Sequence, residues 1–194
     1  MNSKKLIAVT GGIGSGKSVA VNVLSVAGYN TLSCDDITTD LYEKRKVKLL
    51  LKKLFPSAVK GFFNPVIDRK EISKIVFNDA EKLKILTDAI TPLVLNEVLA
   101  RAKKLSGKIF VEVPLLFECN YQDSFDGVIV ITRPLNARIE SVMARSNLTE
   151  EQVVGRIKSQ VDYENIDLTP YHVIENTGDL EQLKNNVLSL AKEI

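Results

Sequence analysis

At 194 residues, 45% of them hydrophobic, the chain suits one compact domain with a small inserted lobe. Charged residues make up 26% and the formal net charge is +2, a balance that excludes wholesale coating of nucleic acid. The single histidine, His172, and two distant cysteines, Cys34 and Cys119, exclude a His/Cys zinc constellation and point to the reducing cytoplasm.

Taken in chain order, Leu6 to Val9 is a short apolar run closed by glycines, as in a buried parallel strand. It is too short for a signal-peptide core, and no stretch approaches membrane-spanning length, so neither a membrane nor a nucleic-acid partner is expected. Val19, Val21, Val23, Leu24 and Ala27 then mark a buried helix that Gly28 ends, and Asn30 to Cys34 reads as a second strand. Leu41 to Leu54 is helical and basic, and Pro56, Gly61 and Pro65 mark a loop. From Asp68 the signals are helical: Asp68 with Glu71 resembles a capping box, Leu83 to Ile90 continues on another helix, and Pro92 opens the next, to about Lys104. The middle third therefore reads as helical with no strand.

Ile109 to Val113 returns to strand and ends at Pro114, and Val128 to Ile131 is a further strand. Pro134 begins a helix reaching Arg145, Thr149 and Gln152 form a capping box for the next helix, Val173-Ile174 is a last strand, and Asp179 caps the terminal helix. Strands alternating with helices predict an α/β fold, a parallel sheet covered on both faces, with ligands at the carboxyl ends of the strands.

One such end carries chemistry. Gly11-Gly12-Ile13-Gly14-Ser15-Gly16-Lys17-Ser18 satisfies G-x-x-x-x-G-K-[ST] between a strand and a helix. Glycines let backbone N–H groups converge on phosphate oxygens, and the following helix directs its positive end at the same anion. Lys17 is expected to reach the β and γ phosphates, and the Ser18 hydroxyl to ligate Mg²⁺. Gly12 to Val19 is therefore the expected ATP-binding segment. The fold this implies is a P-loop NTPase three-layer sandwich with a five-stranded parallel sheet.

The loop alone does not distinguish a kinase from other nucleotide hydrolases. No N-K-x-D segment for guanine is present. Glu112 falls inside the third strand with no Asp at its end, which weakens a mechanical ATPase. A small-molecule kinase needs a base, cations around the moving phosphoryl group and a lid. Asp35, at the tip of the second strand, is the candidate base, the alternative being that Asp35 or Asp36 caps a helix beginning at Ile37. Arg138, Arg145 and Arg156 flank the Ser146-Asn147-Leu148 loop, and Arg145 is favoured because it sits at the hinge. The basic run from Lys44 to Lys53 reads mostly as a solvated helix face.

The motif series resembles the dephospho-CoA kinase family across almost the whole chain. It is carried by Thr10 to Ser18 (TGGIGSGKS), by Asp68-Arg69 through Ile75-Val76-Phe77, and by Val113-Pro114-Leu115-Leu116-Phe117-Glu118. Arg156-Ile157 with Gln160, and Val173-Ile174-Glu175-Asn176 with Gly178, continue it. The resemblance implies phosphorylation of the ribose 3′-hydroxyl of dephospho-CoA by ATP and Mg²⁺, the last step of coenzyme A biosynthesis. It implies a core of residues 1–42 and 106–194, a helical substrate-binding insertion of about 43–105 and a helical lid of about 139–163. Asp35, Lys17 and Arg145 are the implied catalytic residues, Ser18 the metal ligand, and Asp35, Arg69, Phe77, Pro114, Leu115, Leu116 and Glu118 the substrate-binding residues. A monomer or weak homo-oligomer is expected. Departures from the family pattern fall at Val19, Ser33, Cys34, Thr91, Glu112, Ser141 and Tyr171-His172. A nucleoside or sugar kinase, and a catalytically weakened nucleotide-binding regulator, remain as alternatives.

Overall fold

The computed structural model describes residues 4–61, 63–77 and 79–194, without the side chain of Phe77. The described chain forms two compact units: residues 1–33 with 102–194, and residues 34–101.

The first unit is built on a five-stranded sheet in the order β2-β5-β1-β6-β7, with every pairing parallel. Its strands are β1 (Lys5–Thr10), β2 (Asn30–Ser33), β5 (Lys108–Glu112), β6 (Gly127–Thr132) and β7 (His172–Glu175). Ile7, Ala8, Val9, Ile109, Phe110, Val111, Ile129, Val130 and Ile131 are all buried. Consecutive residues of a strand face opposite sides, so both faces of the central strands are covered, as the continuous apolar runs predict.

One face is packed by two helices. Helix α1 (Lys17–Val26) turns Ala20, Val21 and Leu24 inward, and α8 (Leu180–Glu193) turns in Leu183, Val187 and Ala191 at four-residue spacing. Gly28, in the left-handed region at φ 88°, ends the first of these; the Gly28 N–H donates to Ser25 O and the Tyr29 N–H to Leu24 O. The Tyr29 ring then meets Phe110 edge to face at 5.3 Å. Asp179 accepts from the Glu181 and Gln182 N–H groups, the expected cap of α8. Two further helices, α6 (Leu135–Arg145) and α7 (Glu150–Lys158), follow β6, and Thr149 with Gln152 forms the expected reciprocal capping box.

The second unit begins at α2 (Cys34–Glu43) and continues through α3 (Arg45–Leu54), a short antiparallel pair β3 (Val59–Lys60) and β4 (Val66–Ile67), α4 (Arg69–Phe77) and α5 (Ala80–Ala102). Two sequence expectations are corrected here. The middle third is not free of strand: two-residue strands form a hairpin, too short to leave an alternating pattern. Nor does Pro92 open a helix, since α5 runs straight through it. An interior proline costs about 3 kcal/mol, but Ile90, Val94 and Val98 form one buried stripe on both sides of it, and that packing carries the helix past the missing N–H.

Ion pairs tie this unit together. Glu97 on α5 pairs with Lys44 at 2.8 Å and Arg101 at 3.1 Å, and Arg101 reaches Asp40 on α2 at 2.7 Å. Hydrogen bonds from Lys44 and Arg101 hold the Glu97 carboxyl below its ordinary range. Much of the basic run is engaged within the unit, with Lys48 on Glu43 and Lys52 donating to Gly61 O.

Candidate active site

The glycine loop lies at the carboxyl end of β1 and leads into α1, the placement an anion-binding loop requires. Its lysine points inward: Lys17 is buried, and its Nζ donates to Gly11 O at 2.7 Å and Gly12 O at 3.0 Å. The Gly12 carbonyl also accepts the Ser15 N–H at 3.1 Å, closing the loop on itself. Buried Ser15 Oγ has no protein partner among the described residues.

Segments distant in sequence brace this loop from outside. Asn176, just beyond β7 and 6% exposed, donates Nδ2 to Ser15 O at 2.8 Å, and its own Oδ1 accepts the Gly178 N–H. Gly16 must be glycine on two counts: its φ is 105°, and a Cβ there would lie 2.5 Å from Asn176 Nδ2. Gln160 Oε1 accepts the Ile13 N–H at 2.7 Å, and the Tyr163 hydroxyl lies 3.4 Å from Thr10 Oγ1. Burial pushes the Tyr163 hydroxyl up to about 12, so it stays protonated at neutral pH. Glu118 Oε1 accepts the Val161 N–H at 3.0 Å, holding the chain between Gln160 and Tyr163. Replacing Asn176 with Ala is expected to cost about 1–3 kcal/mol, the price of a lost buried partner at Ser15 O. Urea denaturation checks this, and unchanged stability would show that Asn176 does not brace the loop.

The sequence reading placed Glu112 within a strand. Glu112 is in that strand but ends it, one residue short of the expected Val113, and its Oε1 accepts the Ser18 hydroxyl at 2.6 Å. The pairing of Val9 with Glu112 brings the carboxylate alongside the end of β1, where the loop begins. A hydroxyl and a carboxylate oxygen together are hard donors of the kind Mg²⁺ takes, the remaining ligands of that ion being waters and substrate phosphates. The residues present therefore fit a magnesium ion at Ser18 and Glu112.

Among the three arginines that flank the Ser146 loop, Arg145 ends α6 and Arg156 lies on α7, both exposed, whereas Arg138 is buried, with its Nε donating to Ile13 O at 3.0 Å. Burial lowers the Arg138 pKa from its ordinary value, opposed by the nearby Glu164, Tyr163 and Asp162. Val19 stands exposed on the first turn of α1. In the segment after β5, Pro114 is half-buried, Leu115 exposed and Leu116 fully buried, and Phe117 meets Tyr163 and Tyr171 at 5.9 and 5.1 Å between ring centres.

Three predicted residues belong to the second unit. Asp35 and Asp36 both lie in the first turn of α2, which begins at Cys34, so neither caps a helix starting at Ile37. Carboxylates there are favoured by the helix dipole. Arg69 donates to Thr39 Oγ1 and O, and its guanidinium lies 5.3 Å from the centre of the Tyr42 ring. Thr39 is four residues after Asp35, so Arg69 is held on the helical face that carries Asp35. The side chain of Phe77 lies outside the described residues.

Comparison with known proteins gives a consistent picture. The family model for dephospho-CoA kinase matches residues 5–182. A Thermus thermophilus dephospho-CoA kinase is 35% identical over 190 residues, 97% of this chain and 91% of its own length. Among solved structures, the protein TT1252 from Thermus thermophilus superimposes with a TM-score of 0.84 at 34% identity, covering 99% of this chain and 98% of its own. A dephospho-CoA kinase from Campylobacter jejuni gives a TM-score of 0.70 at 29% identity, covering 98% and 96%.

Proposed function

The chain belongs to the dephospho-CoA kinase family, and from that premise we propose how its own residues carry the family's reaction, transfer of the γ-phosphate of ATP to the ribose 3′-hydroxyl of dephospho-CoA. That reaction is the last step of coenzyme A biosynthesis. One juxtaposition supports the reading most strongly: buried Lys17 and the Ser18–Glu112 contact stand together around one glycine loop.

On this reading Lys17 leaves the Gly11 and Gly12 carbonyls to meet the β and γ phosphates, while loop N–H groups and the amino end of α1 bind the same oxygens. Ser18 and Glu112 hold Mg²⁺, which neutralises charge on the phosphates when bound. The Asp35 carboxylate accepts the proton of the ribose 3′-hydroxyl as its oxygen attacks the γ-phosphorus. The bond from the γ-phosphorus to the bridging oxygen breaks, and ADP leaves with that oxygen. Arg145, at the end of α6, neutralises charge as the lid of about 139–163 closes. Arg69, Phe77 and the Pro114, Leu115, Leu116 and Glu118 segment hold the acceptor, and the enzyme works in the cytoplasm.

Single-turnover phosphorylation of dephospho-CoA, against a panel of nucleosides and sugars, tests this function. Phosphate is expected on dephospho-CoA alone. Faster transfer to any member of the panel would replace the proposed acceptor with that one.

A further inference from the structure

The glycine loop contains a glycine that its motif does not require. In G-x-x-x-x-G-K-[ST] the position of Gly12 is unspecified, and Gly12 is not among the glycines with positive φ. What it provides is room. A Cβ on Gly12 would lie 2.3 Å from Arg138 Nη2 and 2.6 Å from Cζ, so a side chain there would force the guanidinium to move. The guanidinium of Arg138 therefore occupies the space that a side chain on Gly12 would take, with its Nε held on Ile13 O at 3.0 Å.

The placement is costly. Arg138 is 7% exposed and, among the described residues, makes no salt bridge. An arginine on an amphipathic helix ordinarily buries its stem and keeps its head in water. The Glu164 and Asp162 carboxylates are near enough to favour the charged form but neither pairs with it directly, so together with one carbonyl they restore only part of the lost solvation. Such a charge is better compensated once an anion arrives.

The direction from which that anion comes is fixed by Lys17. Its Nζ sits 3.0 Å from the Gly12 carbonyl, so the lysine and Arg138 converge on the same residue at the start of the loop. Lys17 serves the β and γ phosphates in loops of this kind, which puts Arg138 at the terminal-phosphate end of the nucleotide. Arg145, seven residues on, ends the helix and is exposed, with no comparable attachment to the loop among the described residues.

We propose that Arg138 is a fixed cation for the terminal phosphoryl group of ATP, and that Gly12 is kept without a side chain to admit it. This rests on the nucleotide reading given above. It differs from the lid role of Arg145 in that Arg138 is already in place before any closure.

The test compares binding of ADP with binding of a non-hydrolysable β,γ-imido ATP analogue in the wild-type enzyme, Arg138→Lys, Arg138→Met and Gly12→Ala, alongside kcat and KM for ATP. Arg138→Met is expected to bind ADP as the wild type does, to bind the analogue about tenfold more weakly, and to lose about 10²-fold in kcat. Gly12→Ala, which displaces the guanidinium, is expected to show the same selective loss, and Arg138→Lys to recover part of it. A brace that only shaped the loop would weaken both nucleotides alike. An unchanged ratio of the two affinities, or an equal loss of both, therefore overturns the proposal. If Arg138→Met does not fold, the ratio in Arg138→Lys and Gly12→Ala decides by the same criterion. A wild-type protein that binds neither nucleotide would overturn the underlying nucleotide reading as well.

Discussion

Replacing Lys17 with Met is expected to lower kcat for phosphoryl transfer by at least about 10²–10³-fold, the usual cost of removing one preorganised charge from a transferring group. The ammonium is buried and shared between Gly11 O and Gly12 O, so its position is set by the loop before any phosphate is met. The lysine exchanges those two carbonyls for phosphate oxygens when the nucleotide binds, so that rearrangement precedes the transfer step. Methionine matches the length of the stem but removes that donor from Gly11 O and leaves Gly12 O with the Ser15 N–H alone, and some stability is lost as well. Steady-state kinetics alongside thermal denaturation separates the two consequences. A variant that melts like the wild type and keeps its kcat would remove Lys17 from the mechanism.

A loss of similar size is expected for Asp35→Asn, which keeps the shape of the side chain and removes its capacity to accept a proton. General-base catalysis contributes about 10²–10⁴-fold in typical cases, and the fall should appear in kcat while the KM for ATP stays unchanged. Asp35 is exposed in the first turn of α2, so the substitution is expected to cost at most about 1 kcal/mol, the lost interaction of its charge with the helix dipole. The neighbouring Asp36→Asn is the control. If Asp36→Asn loses activity and Asp35→Asn does not, the base is the neighbour; if neither does, the acceptor hydroxyl is activated by another group.

The place of Lys17 in the glycine loop was legible in the sequence because its signal is local, whereas the role of Asp35 is a proposal. A glycine loop between a strand and a helix identifies Lys17 by spacing alone, and the caps at Thr149 and Asp179 are equally short-range. Glu112 was not legible in the same way. Its role depends on where β5 stops and on its register with Val9, a contact between segments far apart in the chain. The same holds for Arg138, since three arginines flank the loop at Ser146 and only the packing of α6 against Gly12 singles one out. Helix boundaries in the second unit were misjudged where local cost and tertiary gain disagree. Pro92 reads as a helix start by propensity, and the stripe of Ile90, Val94 and Val98 overrides it.

The most direct test of the whole account is to follow γ-labelled ATP with dephospho-CoA as acceptor and to locate the label in the product. The account predicts label on the ribose 3′-oxygen in amounts equal to the ADP released, and none with a 3′-deoxy acceptor. Release of ADP with no label in the acceptor, or label on a different oxygen of it, would contradict the account.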